Sequence, residues 1–242
     1  MQIPTFPECD HDLVKALIHH SDYELVNKLQ RSPMEGKYFI TLFCRYSPVV
    51  YSLIRHSAKS PVQADYLFAI TWRHILNELT GIDLTPFQPG KGVEFSLQGW
   101  LINLTATHIN QAIMPEVEAI HYTLRDAPPP LWCYTERALD NMQPKHRLIV
   151  LMAQTFKWSS TRISAYLQAE GDHTSPQAVE SELQVAYQAL EKAIPEDVRE
   201  IYLNHPPAIV HPPGQRIIDA QASDVSSTSA SSPEGNMTIE FN

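Results

Sequence analysis

Prolines punctuate this chain where helices would begin. Pro61, Pro144, Pro176 and Pro195 each stand at the head of a run whose apolar residues recur every three to four positions. Proline lacks the N–H that a helix interior needs, but its fixed φ suits a first turn. The pattern predicts helices that start at these prolines. Glycine is scarce, at 8 of 242 residues, against a usual share of about 7%. That scarcity argues against turn-dense all-β folds and glycine-rich phosphate loops. Apolar residues make up 43% of the chain, enough for a sizeable core. The expectation is an all-α fold.

The periodicity resolves into two helical blocks. In the first, residues 12–30 form helix, with Asp22 capping a second short piece. Residues 35–57 are apolar around much of the circumference, and Pro48 is expected to open a new helix there. Pro61 begins a helix that runs to about Leu79 and stops at Gly81. Residues 82–95 read as a loop, and Ser96 caps a helix over 97–113. A short helix is allowed within 114–131. Pro128-Pro129-Pro130 reads as a stiff, extended spacer. The second block predicts helices over 132–141, 144–156, 159–168 and 176–193, with a short turn at 195–203. Ser159 and Ser175 are cap candidates. The expected organisation is a helical domain over 10–113, a linker over 114–131, a second helical domain over 132–203 and a disordered Pro/Ser-rich tail over 204–242.

The formal charge of −9 excludes a bulk polycation that coats nucleic acid. It is unevenly spread. Residues 36–64 carry four bases and no acid, and residues 141–169 again carry four bases (Lys145, Arg147, Lys157, Arg162) and no acid. Residues 170–203 carry two bases and eight acids, and the tail carries one and four. Local field, not net charge, decides which polyanion approaches. No apolar run reaches the ~18 residues of a membrane helix, and the N-terminus lacks signal-peptide character. Cys9, Cys44 and Cys133 are odd in number and far apart, which predicts reduced thiols and a cytoplasmic protein.

No catalytic signature is present: there is no GxSxG, HExxH, Walker loop or GxGxxG. Cys9-Asp10-His11 and His19-His20 lack the paired spacing of metal sites. No catalytic residue, cofactor or metal is expected. Residues 144–190 instead have the layout of a helix-turn-helix, whose last helix enters the DNA major groove.

The residues within that layout carry a resemblance. LDNMQPKHRLIVLMAQTFKWSSTRISAYL is similar to the opening of the C-terminal domain of bacterial RNA polymerase sigma factors, on Ala138, Leu139, Pro144, Arg147, Trp158, Ile163, Ala165 and Leu167. Tyr46, Val50, Tyr51, Ala64, Leu67 and Trp72 match the sigma domain that holds the polymerase clamp. Phe95, Trp100, Leu101 and Leu104 match the helix that reads melted promoter DNA. The chain thus resembles the two-domain, extracytoplasmic-function type, most of all cyanobacterial members.

The resemblance implies a sigma factor that directs promoter-specific initiation by the core polymerase, with an anti-sigma protein as a further partner. The clamp contact would use Leu67, Phe68, Trp72 and Ile75. Asn103, Thr107, His108 and Asn110 would meet unstacked single-stranded bases. Lys157 and Arg162 would meet phosphates, with Ser175, Gln177 and Gln184 near base edges. The last helix differs from the family in carrying Glu180 and Glu182 where bases are usual. The alternative is a sigma-like regulatory protein that binds polymerase or another protein through this acidic helix.

Overall fold

The computed structural model describes residues 3–85 and 96–203, and every regular element among them is helical. The helices are α1 (Asp12–Lys15), α2 (Asp22–Arg31), α3 (Lys37–Ser57), α4 (Pro61–Gly81), α5 (Leu97–Gln111), α6 (Pro129–Asp140), α7 (Pro144–Gln154), α8 (Ser160–Ala169), α9 (Pro176–Ala193) and α10 (Glu196–Leu203). Single 3-10 turns lie at Pro7–Asp10 and Val117–Ala119. Proline occupies the first turn of α4, α6, α7 and α9. The loop residues 86–95, Phe95 with them, and the tail expected from 204 lie outside the described residues. None of the described helices is long and apolar enough to cross a membrane.

α3 is the axis of the body. Phe39, Ile40, Leu42, Phe43, Tyr46, Val50, Tyr51 and Ile54 are buried around it. A helix apolar on most sides must be surrounded, and α1, α2, α4, α5 and α6 all pack on it. Trp72 of α4 meets Phe43 edge-on at 4.9 Å and Phe39 at 5.8 Å between ring centroids. The break expected at Pro48 does not occur, and α3 runs through it. Proline removes one backbone hydrogen bond, while buried side chains on both flanks hold the helix across the gap. Ser21, not Asp22, caps α2, in a capping box with Glu24. Asp22 instead accepts hydrogen bonds from Arg45 and Tyr46 of α3.

The extended spacer expected at Pro128–Pro130 is also corrected. Pro129 and Pro130 form the buried first turn of α6. Leu131, Trp132, Cys133, Tyr134, Ala138 and Leu139 are buried with them, and they find cover on α3 and α4. Ile120, Tyr122 and Ala127 from the preceding segment join the same core, which continues to Val198 and Ile201 of α10. A second, small core of Ile149, Met152, Ile163, Leu167 and Val179 holds α7, α8 and α9 together. Val150, Ala186 and Leu190 of α7 and α9 belong to the large core, so the three-helix unit is fused to the body.

Both ends of the described chain are fastened to α3. The Asp197 carboxylate of α10 accepts from the backbone N–H groups of Gly36 and Lys37, at 3.1 and 2.9 Å. It caps an N-terminus to which Gly36 offers no side chain. At the other end Cys9 and Cys44 form a disulfide, against the expectation of reduced thiols. Folding brings the two residues together across a separation of 35; the spacing alone carried no sign of it. Only Cys133 is a free thiol, and it is buried. Phe6 sits beside this clip, edge-on to Phe43 at 4.7 Å and stacked on Phe68 at 5.9 Å. Glu8 is buried against α10, where its carboxyl accepts from the Tyr202 hydroxyl at 3.2 Å.

Two stability predictions come from these fastenings. Asp197→Ala removes both bonds at the head of α3 and costs about 1–2 kcal/mol. Gly36→Ala places a Cβ 2.2 Å from Val198 Cγ2 and 2.9 Å from Tyr134 Cε2, an overpacking worth about 1–3 kcal/mol. Urea titrations read both, and unchanged midpoints would refute the cap. Burial pushes the Glu8 carboxyl from 4.5 up to about 7, against a smaller opposing pull from hydrogen bonds. The folded state therefore binds this proton more tightly than the unfolded chain. The stability it brings is present below pH 4.5 and is lost as pH rises to about 7, roughly 3 kcal/mol in all. Glu8→Gln should flatten the fall in unfolding midpoint between pH 5 and about 7.

Candidate nucleic-acid interface

The helix-turn-helix is built from local signals. Ser159 caps α8 by accepting from the Arg162 N–H, and Ser175 caps α9 by accepting from the Ala178 N–H. α8 ends where Gly171 takes a φ of 89°, a left-handed conformation suited to glycine. The Asp172 N–H then reaches back to the Leu167 carbonyl at 2.8 Å. Ser164 donates its hydroxyl to the Thr174 carbonyl at 2.6 Å, closing the turn against α8. Between α7 and α8, Lys157 also adopts a positive φ of 51°, rare for a residue with a side chain.

α9 presents its first half outward. Ser175, Gln177, Glu180, Ser181 and Gln184 are exposed, while Val179, Ala186 and Leu190 point inward. The Ser175 hydroxyl oxygen is occupied by its capping bond. The two acids of this helix play different parts. Glu182 turns toward α7, where Lys145 lies 2.9 Å away, and Lys145 also pairs with Asp172 at 3.0 Å and donates to Thr174 at 3.0 Å. Hydrogen bonds to Glu182 and Asp172 hold the Lys145 ammonium above its ordinary pKa. Glu180 accepts from the Ser160 hydroxyl at 2.9 Å and remains exposed. Only Glu180 of the pair therefore faces outward beside the glutamines.

Cations and aromatic rings gather at the head of α8. The Arg162 guanidinium lies over the Trp158 ring at 4.3 Å, a cation–π contact. Trp158 leans on Phe156 at 5.7 Å and on Tyr166 at 5.8 Å. Phe156 is 61% exposed, high for a phenylalanine. Sequence reasoning passed over Phe156 and Tyr166, because an aromatic in a turn or within a helix reads equally well as core. The Lys145 cluster was likewise hidden, since its acids lie 27 and 37 positions along the chain.

α5 divides the residues expected on single-stranded DNA. Asn103, Thr107 and Asn110 are exposed, at spacings of four and three that give one face. His108 points elsewhere. Its Nδ1 meets the Thr71 hydroxyl at 2.9 Å and its ring stacks on His74 at 4.9 Å. Burial, then the nearby His74 and Arg73 charges, lower its pKa. His108 is thus part of the α4–α5 packing and is corrected as a base-facing residue.

The clamp contact must also be corrected. Leu67, Phe68, Trp72 and Ile75 are all buried, with Phe68, Trp72 and Ile75 at 0% exposure. They form the inner face of α4, and its other side carries Arg73, which pairs with Glu136 and lies over the Trp132 ring at 5.1 Å. Their three- and four-residue spacing is the apolar stripe that builds a core. Trp72→Ala should cost about 3–5 kcal/mol of stability, whereas Gln177→Ala, fully on the surface, should move it by less than about 0.5 kcal/mol. Thermal unfolding of the two variants separates scaffold from surface, and a Trp72 variant of native stability would overturn the assignment.

Compared with known protein families, curated proteins and solved structures, the chain matches none of them.

Proposed function

We propose that this chain is a sigma factor of RNA polymerase, directing the core enzyme to promoter DNA. The observation that carries the reading is the outward polar face on the first half of α9, Gln177 and Gln184 with Ser175 at its head. It belongs to a helix held by a separate three-helix core, the layout of a groove-reading helix-turn-helix. Glutamine amides can pair with adenine edges in the major groove, and serine with any base. Lys157 and Arg162 lie beside this helix-turn-helix and supply phosphate contacts. On α5, the Asn103, Thr107 and Asn110 face offers amides and a hydroxyl to splayed bases. No side chain here needs to do chemistry, since polymerase forms the bonds. An anti-sigma protein remains a proposed partner.

The alternative, a regulator that binds protein through an acidic α9, draws less support. Glu182 is already paired with Lys145, which leaves Glu180 as the exposed acid in the first half of α9.

The test is co-purification with core polymerase, followed by run-off transcription at low and high salt. The reading expects promoter-dependent transcripts. Arg162→Ala should weaken promoter binding at all sequences and lower the salt slope by about 1. Gln177→Ala should cost about 1–3 kcal/mol at one base position and leave others unchanged. Core binding without promoter-dependent transcripts would refute the reading in favour of the protein-binding regulator.

A further inference from the structure

An apolar strip crosses from the main body onto the helix-turn-helix. It begins in an open groove of about 440 Å³ between α4, α6 and α7, with Leu139, Leu151 and Phe156 in its lining. Its acids are already paired, Glu136 with Arg73 and Asp140 with Arg147. From Phe156 the strip continues over Trp158 to Tyr166, which is 39% exposed. Arg162 rests on the Trp158 ring, and residues 141–169 contain no acid. Leu139, Leu151, Phe156, Trp158 and Tyr166 therefore supply apolar surface along the strip, and the groove's charges are the paired Arg73–Glu136 and Arg147–Asp140. Arg162, in no ion pair among the described residues, adds a cation at the α8 end. The strip suits an extended acidic segment with spaced apolar side chains.

The chain contains such a segment. Residues 204–242 carry Asp219, Asp224, Glu234 and Glu240 against one base, Arg216. Near the end, Met237, Ile239 and Phe241 alternate with polar residues, and Glu240 lies among them. In an extended chain this spacing puts all three on one side. The segment leaves α10, which packs on α6, the helix that forms one wall of the groove. α6 has 12 residues and is about 18 Å long. A coil of the intervening residues spans roughly 30–35 Å, so the groove is within reach.

We propose that the strip from Leu139 to Tyr166 is the docking site of the chain's own C-terminal segment, with Met237, Ile239 and Phe241 in the groove and the acids toward Arg162. Seated there, the segment competes with DNA for Arg162, a cation assigned to promoter phosphate. This consequence rests on the sigma-factor reading; the docking itself does not.

The test needs neither DNA nor polymerase. A benzophenone-bearing phenylalanine analogue replaces Phe241 in the full chain, which is irradiated as an equal mixture of isotope-labelled and unlabelled protein. Crosslinked peptides are mapped by mass spectrometry. Crosslinks within one chain, onto residues 139–166, are the expected result. Phe156→Ser should lower their yield by about fivefold or more, as for an anchoring side chain. Arg162→Glu and high salt should each lower it less. Crosslinks scattered over other surfaces, crosslinks between labelled and unlabelled chains, or a yield unchanged by Phe156→Ser would each overturn the proposal. A failed transcription assay beside the expected crosslinks would refute the sigma-factor reading alone.

Discussion

The fold depends on one helix that no aqueous face can satisfy. α3 is apolar on most of its circumference, so it is stable only when enclosed. Enclosure requires neighbours on every side, and α1, α2, α4, α5 and α6 supply them. Phe39 and Phe43 of α3 then share Trp72 with α4. The same demand explains why α6 cannot be a free linker: its aromatic and aliphatic side chains complete the enclosure. The three-helix unit inherits a fixed place, because Val150, Ala186 and Leu190 also contribute to this core.

Much of this was legible in the sequence, and the misses have a common cause. Proline at a first turn and serine at a cap are local signals, so the starts of α4, α7 and α9 were legible from their prolines and the caps of α8 and α9 from Ser159 and Ser175. Pro48 and Pro128–Pro130 were misread because the same residue breaks, opens or passes through a helix according to what packs beside it. Only tertiary contacts decide that, and here burial outweighed propensity. The Cys9–Cys44 pair and the Asp197 cap join distant parts of the chain, and no local pattern announces them.

For the candidate interface the division is similar. Ser175, Gln177 and Gln184 were placed near base edges by the sigma-factor resemblance, and they lie on the outer face of α9. Leu67, Phe68, Trp72 and Ile75 were placed on the polymerase clamp by the same resemblance, and they lie in the core. An apolar stripe states that a helix is covered but not by what, so a partner surface and a core look alike in one dimension. Charge misled in a comparable way. Glu182 stood in the sequence as an acid where the resembled family carries a base, yet folding sets it on Lys145.

The Asp197 cap has a consequence for how the protein is made. Its two bonds join residues 160 and 161 positions apart. At a synthesis rate of about 5–20 residues per second, that gap corresponds to roughly 10–30 seconds. Throughout that interval the first turn of the central helix stays open to water, while α4, α5 and α6 cover its apolar flanks as each in turn is made. The cap therefore closes on α3 only when the last described helix has been made, so the head of the central helix is finished long after its apolar flanks are covered.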